Sequence, residues 1–116
     1  MPDFTDSRAL TANQADVRPL ANWKYRVLPI AARRWAVTLL ARATTAGVQV
    51  QIDAGGQNMQ QRSQVQGGGT AGVTPVPQTT PVIQFFADAL DEIIVSYFET
   101  LGGTPTVDTY INVEPV

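Results

Sequence analysis

An all-β fold, in the form of an antiparallel β-sandwich of jelly-roll type, is predicted by three features of the sequence. Apolar residues alternate with polar ones along short segments. Gly and Pro clusters punctuate those segments at short intervals, and no unambiguous helix is available to cross over a parallel sheet. Seven or eight short strands of this kind imply a sandwich, and the expected organisation is an extended arm over residues 1–22 followed by one β-sandwich domain over 23–116.

Taken in order, Met1 to Asn22 carries scattered Asp, Thr, Arg and Ala with no sustained period, which reads as the arm. Its use is either as a tether or as cover for one edge of the body. Trp23, Tyr25 and Val27 alternate with Lys24, Arg26 and Leu28 before Pro29, predicting a short strand. Trp35, Val37, Leu39, Ala41 and Ala43 share one face of the next strand, and Ala36, Thr38, Leu40 and Arg42 share the other. Beyond Gly47, Val48, Val50 and Ile52 alternate with Gln49, Gln51 and Asp53, giving one buried and one wet face. Gly55-Gly56 marks a turn into Gln57 to Gln66, a polar stretch suited to a poorly buried edge strand. From Gly67-Gly68-Gly69 to Thr80, with Pro75 and Pro77, the chain reads as a long loop with a short extended piece at Val73 to Val76.

Pro81 to Leu101 admits two readings. As a helix it has Thr80 as N-cap, Pro81 as the first helical residue and Gly102 as the stop. As two strands, Val82 to Phe86 and Glu92 to Glu99 flank a corner at Ala87 to Leu90. Val107, Thr109, Ile111 and Val113 alternate beyond a Gly-Gly linker, a hairpin signal that favours the two strands.

Composition narrows the function. The chain has 116 residues, 44% of them hydrophobic, and a mean hydropathy near zero, as folded single domains do. It has no cysteine and no histidine, which removes disulfides, thiolate chemistry, the commonest general base and the commonest neutral metal ligand. Ser7, Ser63 and Ser96 therefore have no histidine to activate them, and the chain is expected not to be an enzyme and to use no cofactor. Gly67-Gly68-Gly69 lacks the lysine of a phosphate loop. Met1 to Leu10 does not resemble a signal peptide, and no stretch approaches the apolar length of a membrane span.

All eight basic residues lie at or before Arg62 with four acidic ones, whereas the six acidic residues of Ser63 to Val116 have no basic companion. Such a split suits contacts with a charged scaffold or with other copies, unless the halves interleave in the fold. Asp88, Asp91 and Glu92 suggest a calcium site or an acid pair but miss the calcium-loop spacing. Arg33-Arg34, Lys24, Arg26 and Arg42, interleaved with Trp23, Tyr25 and Trp35, have the residue types of a single-stranded nucleic acid surface. The acidic balance of the chain argues instead for arginines paired with protein carboxylates. Trp23, Trp35 and Tyr110 offer an aromatic platform for sugar, although Trp35 starts the most apolar strand and suits the core.

Two runs carry a resemblance. DEIIVSYFETLGGTPTVDTYINVEPV, from Asp91 to Val116, resembles the closing hairpin of small phage virion proteins with a jelly-roll body. RWAVTLLARATTAGVQVQIDAGG, from Arg34 to Gly56, resembles their earlier strands, and together the runs cover about half the chain. Within that group the chain is similar in size and organisation to capsid decoration, or cement, proteins. The resemblance implies a non-enzymatic protein on the outer capsid surface of a bacteriophage virion, made in the host cytoplasm. Its implied partners are the major capsid protein and further copies of itself as a homotrimer, with no nucleic acid, membrane or small-molecule substrate. The expected contact elements are Met1 to Asn22 and the Gly67 to Thr80 loop, with Phe4, Arg8, Arg18, Arg33, Arg34, Thr74, Pro75 and Pro77 as contact residues. A carbohydrate-binding or adhesion module is the alternative, and an accessory subunit or toxin-like domain a third with no residues in its favour.

Overall fold

A computed structural model describes residues 3–78, 80 and 82–116. It is all-β: β1 (Asp3–Ala9), β2 (Arg34–Ala43), β3 (Val48–Ala54), β4 (Gln57–Gln64), β5 (Ile83–Asp88), β6 (Ile93–Glu99) and β7 (Thr106–Pro115). Two antiparallel sheets form, one in the order β1-β7-β2-β5 and one in the order β4-β3-β6. The two-strand reading of the Pro81 to Leu101 region is the correct one, with the corner one or two residues later than expected and Leu90 in the left-handed region at φ 69°. Pro81 itself, which would have opened the helix, lies outside the described residues, as does Thr79.

The alternating faces behave as the pattern requires. Trp35, Val37, Leu39, Ala41 and Ala43 of β2 meet Val48, Val50 and Ile52 of β3, Ile93, Val95 and Tyr97 of β6 and Val107, Ile111 and Val113 of β7 in one core between the sheets. Tyr97 is fully buried, and its hydroxyl hydrogen-bonds Thr109 Oγ1 on the opposite sheet, which satisfies both groups.

Residues 3–22 of the segment expected to extend as an arm are instead built into the body. Phe4 lies opposite Ile111 and Asp6 opposite Thr109 as β1 adds to β7, and Leu10, Val17 and Leu20 enter the core. Its apolar residues lack a period because they belong to turns between single anchors, and pattern alone does not detect that arrangement. Val17 exchanges both backbone hydrogen bonds with Tyr97, at 3.0 and 2.8 Å, and Gln14 O accepts from Glu99 N at 2.8 Å. Residues 14–17 thus run along the outer edge of β6. With that stretch counted as a vestigial strand, the sheets have the strand order of an eight-stranded jelly roll whose second strand has shrunk to one bridge.

The strand predicted at Trp23 to Leu28 is also corrected. Lys24–Arg26 form a single 3-10 turn, and the buried residues are Trp23 and Leu28 rather than one alternating face. Trp23 is held by stacking on Phe4 at 5.5 Å between ring centroids, and Arg26 N bonds Trp23 O at 3.2 Å. Among the described residues no strand lies alongside to complete a ladder, apart from a bridge between Val27 and Glu92. Gln57 to Gln64 is the polar edge strand anticipated, and it carries two register shifts against β3. The extended piece at Val73 to Val76 forms no strand.

Candidate interaction surface

The outer face of the four-stranded sheet is where the long loop comes to rest. Gly67 passes so close to Thr45 and Ala46 that a Cβ there would sit 2.9 Å from the Ala46 nitrogen, so a side chain would push the loop off the sheet. Gly69 N then donates to Ala43 O at 2.9 Å, and the Arg42 guanidinium donates to the carbonyls of Gly67 and Gly68 at 3.4 Å each. Asp108, buried on the outward side of β7, accepts from Gly72 N at 3.2 Å. Its register partner on β2 is Arg42, so an acid and a base on adjacent strands hold the two ends of the same glycine-rich stretch.

Beyond that anchor Pro75 is buried, and the loop and sheet bound a groove of ≈ 460 Å³ lined by Thr38, Leu40, Thr74, Pro75, Pro77, Val82, Gln84 and Tyr110. Val82 on its wall is exposed, as are Val73 and Val76 in the neighbouring crevice under the same loop. Tyr110 directs its hydroxyl toward Asp3 Oδ2 at 3.5 Å, and partial burial together with that carboxylate raises its pKa above the ordinary value. The groove thus joins apolar walls to a few hydroxyl and amide groups, a composition suited to an extended peptide or an apolar protein segment.

Of the expected contact residues, the fold brings Thr74, Pro75 and Pro77 together here, with Thr74 and Pro77 exposed and Pro75 serving as a packing residue. The others are dispersed. Phe4 is half-buried against Trp23 and belongs to the packing of the first strand. Arg8 pairs with Asp6 at 3.3 Å along that strand, and Arg18 pairs with Asp16 at 3.1 Å. Arg33 and Arg34 are exposed at the start of β2, where the Arg34 guanidinium lies 4.8 Å from the centroid of the Phe86 ring.

Several of the basic and aromatic residues considered for nucleic acid are engaged or buried within the fold. Lys24 lies over Tyr25, Arg26 pairs with Glu92 at 3.4 Å, Arg42 holds the loop, and Trp23 and Trp35 are buried. Burial of both tryptophans also dismantles the sugar platform, leaving Tyr110 as its one accessible ring. The acids Asp88, Asp91 and Glu92 build a turn: Asp91 Oδ2 accepts from Asp88 N at 3.0 Å and Asp91 O accepts from Leu28 N at 3.0 Å. Among the described residues no three acids or other ligating groups converge as a metal site would need.

Sequence reasoning did not single out Leu40, Asp108 or Glu99. Leu40 carried a usable signal, since a leucine on the otherwise polar face of β2 needs a cover, and the loop supplies it. Asp108 had none, because its partners are 36 and 66 residues away. Glu99 is buried at the end of β6, where its carboxylate accepts from the backbone N–H groups of Asn13, Leu101 and Gly102. Those hydrogen bonds, that from Asn13 foremost, hold its pKa below the ordinary value. No known protein family matches the chain, and no curated protein matches its sequence.

Proposed function

We propose that the chain is a non-enzymatic protein-binding β-sandwich, and specifically a virion cement protein that attaches to the outer surface of a capsid and braces neighbouring major capsid subunits. The observation that carries this reading is the loop of residues 67–78. Backbone and side-chain bonds from Arg42 and Asp108 hold its first half against the sheet, while Val73 and Val76, lining the crevice next to the groove, stay exposed by 58% and 46%. A loop fixed in this way presents apolar groups without a large ordering cost at binding, as a repeated contact on a lattice needs. Each contact is modest, and many copies on one shell add their effects through multivalency.

The resemblance of Arg34 to Gly56 and Asp91 to Val116 to small virion proteins supports the same reading. In this proposal Thr74, Pro77, Val73 and Val76 touch the shell, whereas Phe4 and Pro75 act by keeping the surface in shape. The test is co-sedimentation with virions of the phage whose genome encodes the chain, after removal of their native surface proteins. Wild-type protein should bind saturably and raise the temperature at which the particles release DNA, and Val76→Asp should weaken binding several-fold while leaving the fold unchanged. Absence of binding to such particles overturns the reading.

A further inference from the structure

We propose that the free edge of β5 is a pairing surface for a second copy of this chain, joining two four-stranded sheets into one across a two-fold axis at Gln84. The other three sheet edges are each obstructed. On β1, Asp6 and Arg8 lie opposite Thr109 and Val107 and so point inward, a charged pair at the sandwich rim. On β4 two bulges break the register, and on β6 residues 14–17 already occupy the edge. Charged inward residues, bulges and covering segments are the ordinary means by which edges are kept from pairing. Among the described residues β5 has none of them between Ile83 and Ala87, where it pairs on one side only, with β2.

The register with β2 fixes the direction of its backbone groups. Ala89 N donates to Arg33 O at 3.0 Å, in the same register as the pairing of Arg34 with Asp88. Odd-numbered residues of this strand therefore direct their N–H and C=O groups at β2, and even-numbered ones direct theirs away. Val116 N donates to Arg34 O on the opposite side of β2, which fits the same alternation. Asp88 is used up locally, its N–H by Asp91 Oδ2 and its C=O by Asp91 N. Gln84 and Phe86 are left facing outward, Val82 precedes the strand by one residue, and among the described residues none of the three makes a backbone bond on that side.

Those three residues select the occupant, because their order is self-complementary. With Gln84 opposite Gln84 of the second copy, Val82 falls opposite Phe86 in both directions, and Ile83 falls opposite Phe85 on the inner face. Two backbone hydrogen bonds close at the Gln84 pair, four more close once pairing extends the strand by one residue to Val82, and Val82 and Phe86, exposed by 45% and 53%, cover each other without disturbing the Asp88 turn. Each Gln84 Nε2 donates to Thr38 Oγ1 of its own chain at 3.4 Å, which leaves the second N–H and Oε1 for the other copy's amide on the axis. Pairing of a strand with its own copy closes after two chains, so the product is a dimer and not the trimer that the resemblance implies. This inference does not rest on capsid binding.

The test uses the full chain in sedimentation equilibrium, with amide hydrogen exchange as a second measurement. The wild type should approach twice the mass of the 12.5 kDa chain with rising concentration, and the amides of Val82, Gln84 and Phe86 should gain protection in parallel. Gln84→Lys and Gln84→Glu should each be largely monomeric, since each sets like charges against one another across the axis. An equimolar mixture of the two variants should restore a mixed dimer, a result that a misfolded variant would not produce. A chain that stays monomeric up to about 1 mM overturns the proposal. So does a mass of three chains, an undiminished Gln84→Lys dimer, or a mixture that fails to associate.

Discussion

Glu99 is a structural carboxylate whose work is done through backbone donors. It ties the turn at Asn13 to the turn at Leu101 and Gly102, two segments far apart in sequence. Because these bonds favour the ionised form, its folded pKa lies below the ordinary 4.5. The linkage has a definite sign: the stabilisation is present above the unfolded pKa and is lost as pH falls through the lower, folded value. Denaturant midpoints should therefore drop on acidification below about pH 4.5, and Glu99→Gln should be less stable than wild type near neutrality with a flatter acid limb. An unchanged acid limb in the variant would remove Glu99 from this role. Tyr97 illustrates the opposite case, in which burial pushes a phenol up and keeps it neutral as a partner for Thr109.

At the level of elements, the hairpin from β3 to β4 turns through Gly55 and Gly56, at φ 59° and 81°. Two successive positive φ values are what a tight two-residue hairpin turn needs, and glycine adopts them without cost. The two positions differ in what surrounds them. A Cβ on Gly56 meets nothing within 4 Å, whereas one on Gly55 would lie 2.5 Å from the Asp91 carboxylate, in the turn between β5 and β6. Gly56→Ala should therefore cost about 1–2 kcal/mol, the left-handed penalty alone. Gly55→Ala should cost more, as measured by chemical denaturation, and Asp91→Ala in the same chain should recover part of the excess. Equal losses at the two glycines would show that Asp91 does not confine the turn. Gly55-Gly56 was legible as punctuation, while its contact with Asp91 was not, since nothing local links residues 36 apart.

For the whole molecule, the consequence of the integrated N-terminal segment is cooperative unfolding. β1 pairs with β7 along seven residues, and Leu10, Val17 and Leu20 contribute buried side chains. Removal of residues 1–22 should abolish a single sharp thermal transition and expose dye-binding apolar surface, whereas loss of a mere tether would leave the transition intact. The sequence by itself determined the all-β class, the buried faces of β2, β3, β6 and β7 and the polar edge at β4, because a half-buried strand writes its burial directly as a period of two. It also excluded histidine and thiol chemistry outright. Only the tertiary structure decided that residues 3–22 belong to the body, that Trp23 packs on Phe4 instead of facing outward, and that the glycine and proline loop lies on Leu40 and Asp108. Those outcomes depend on single anchors meeting across long separations, and an isolated anchor leaves no periodic trace in the chain.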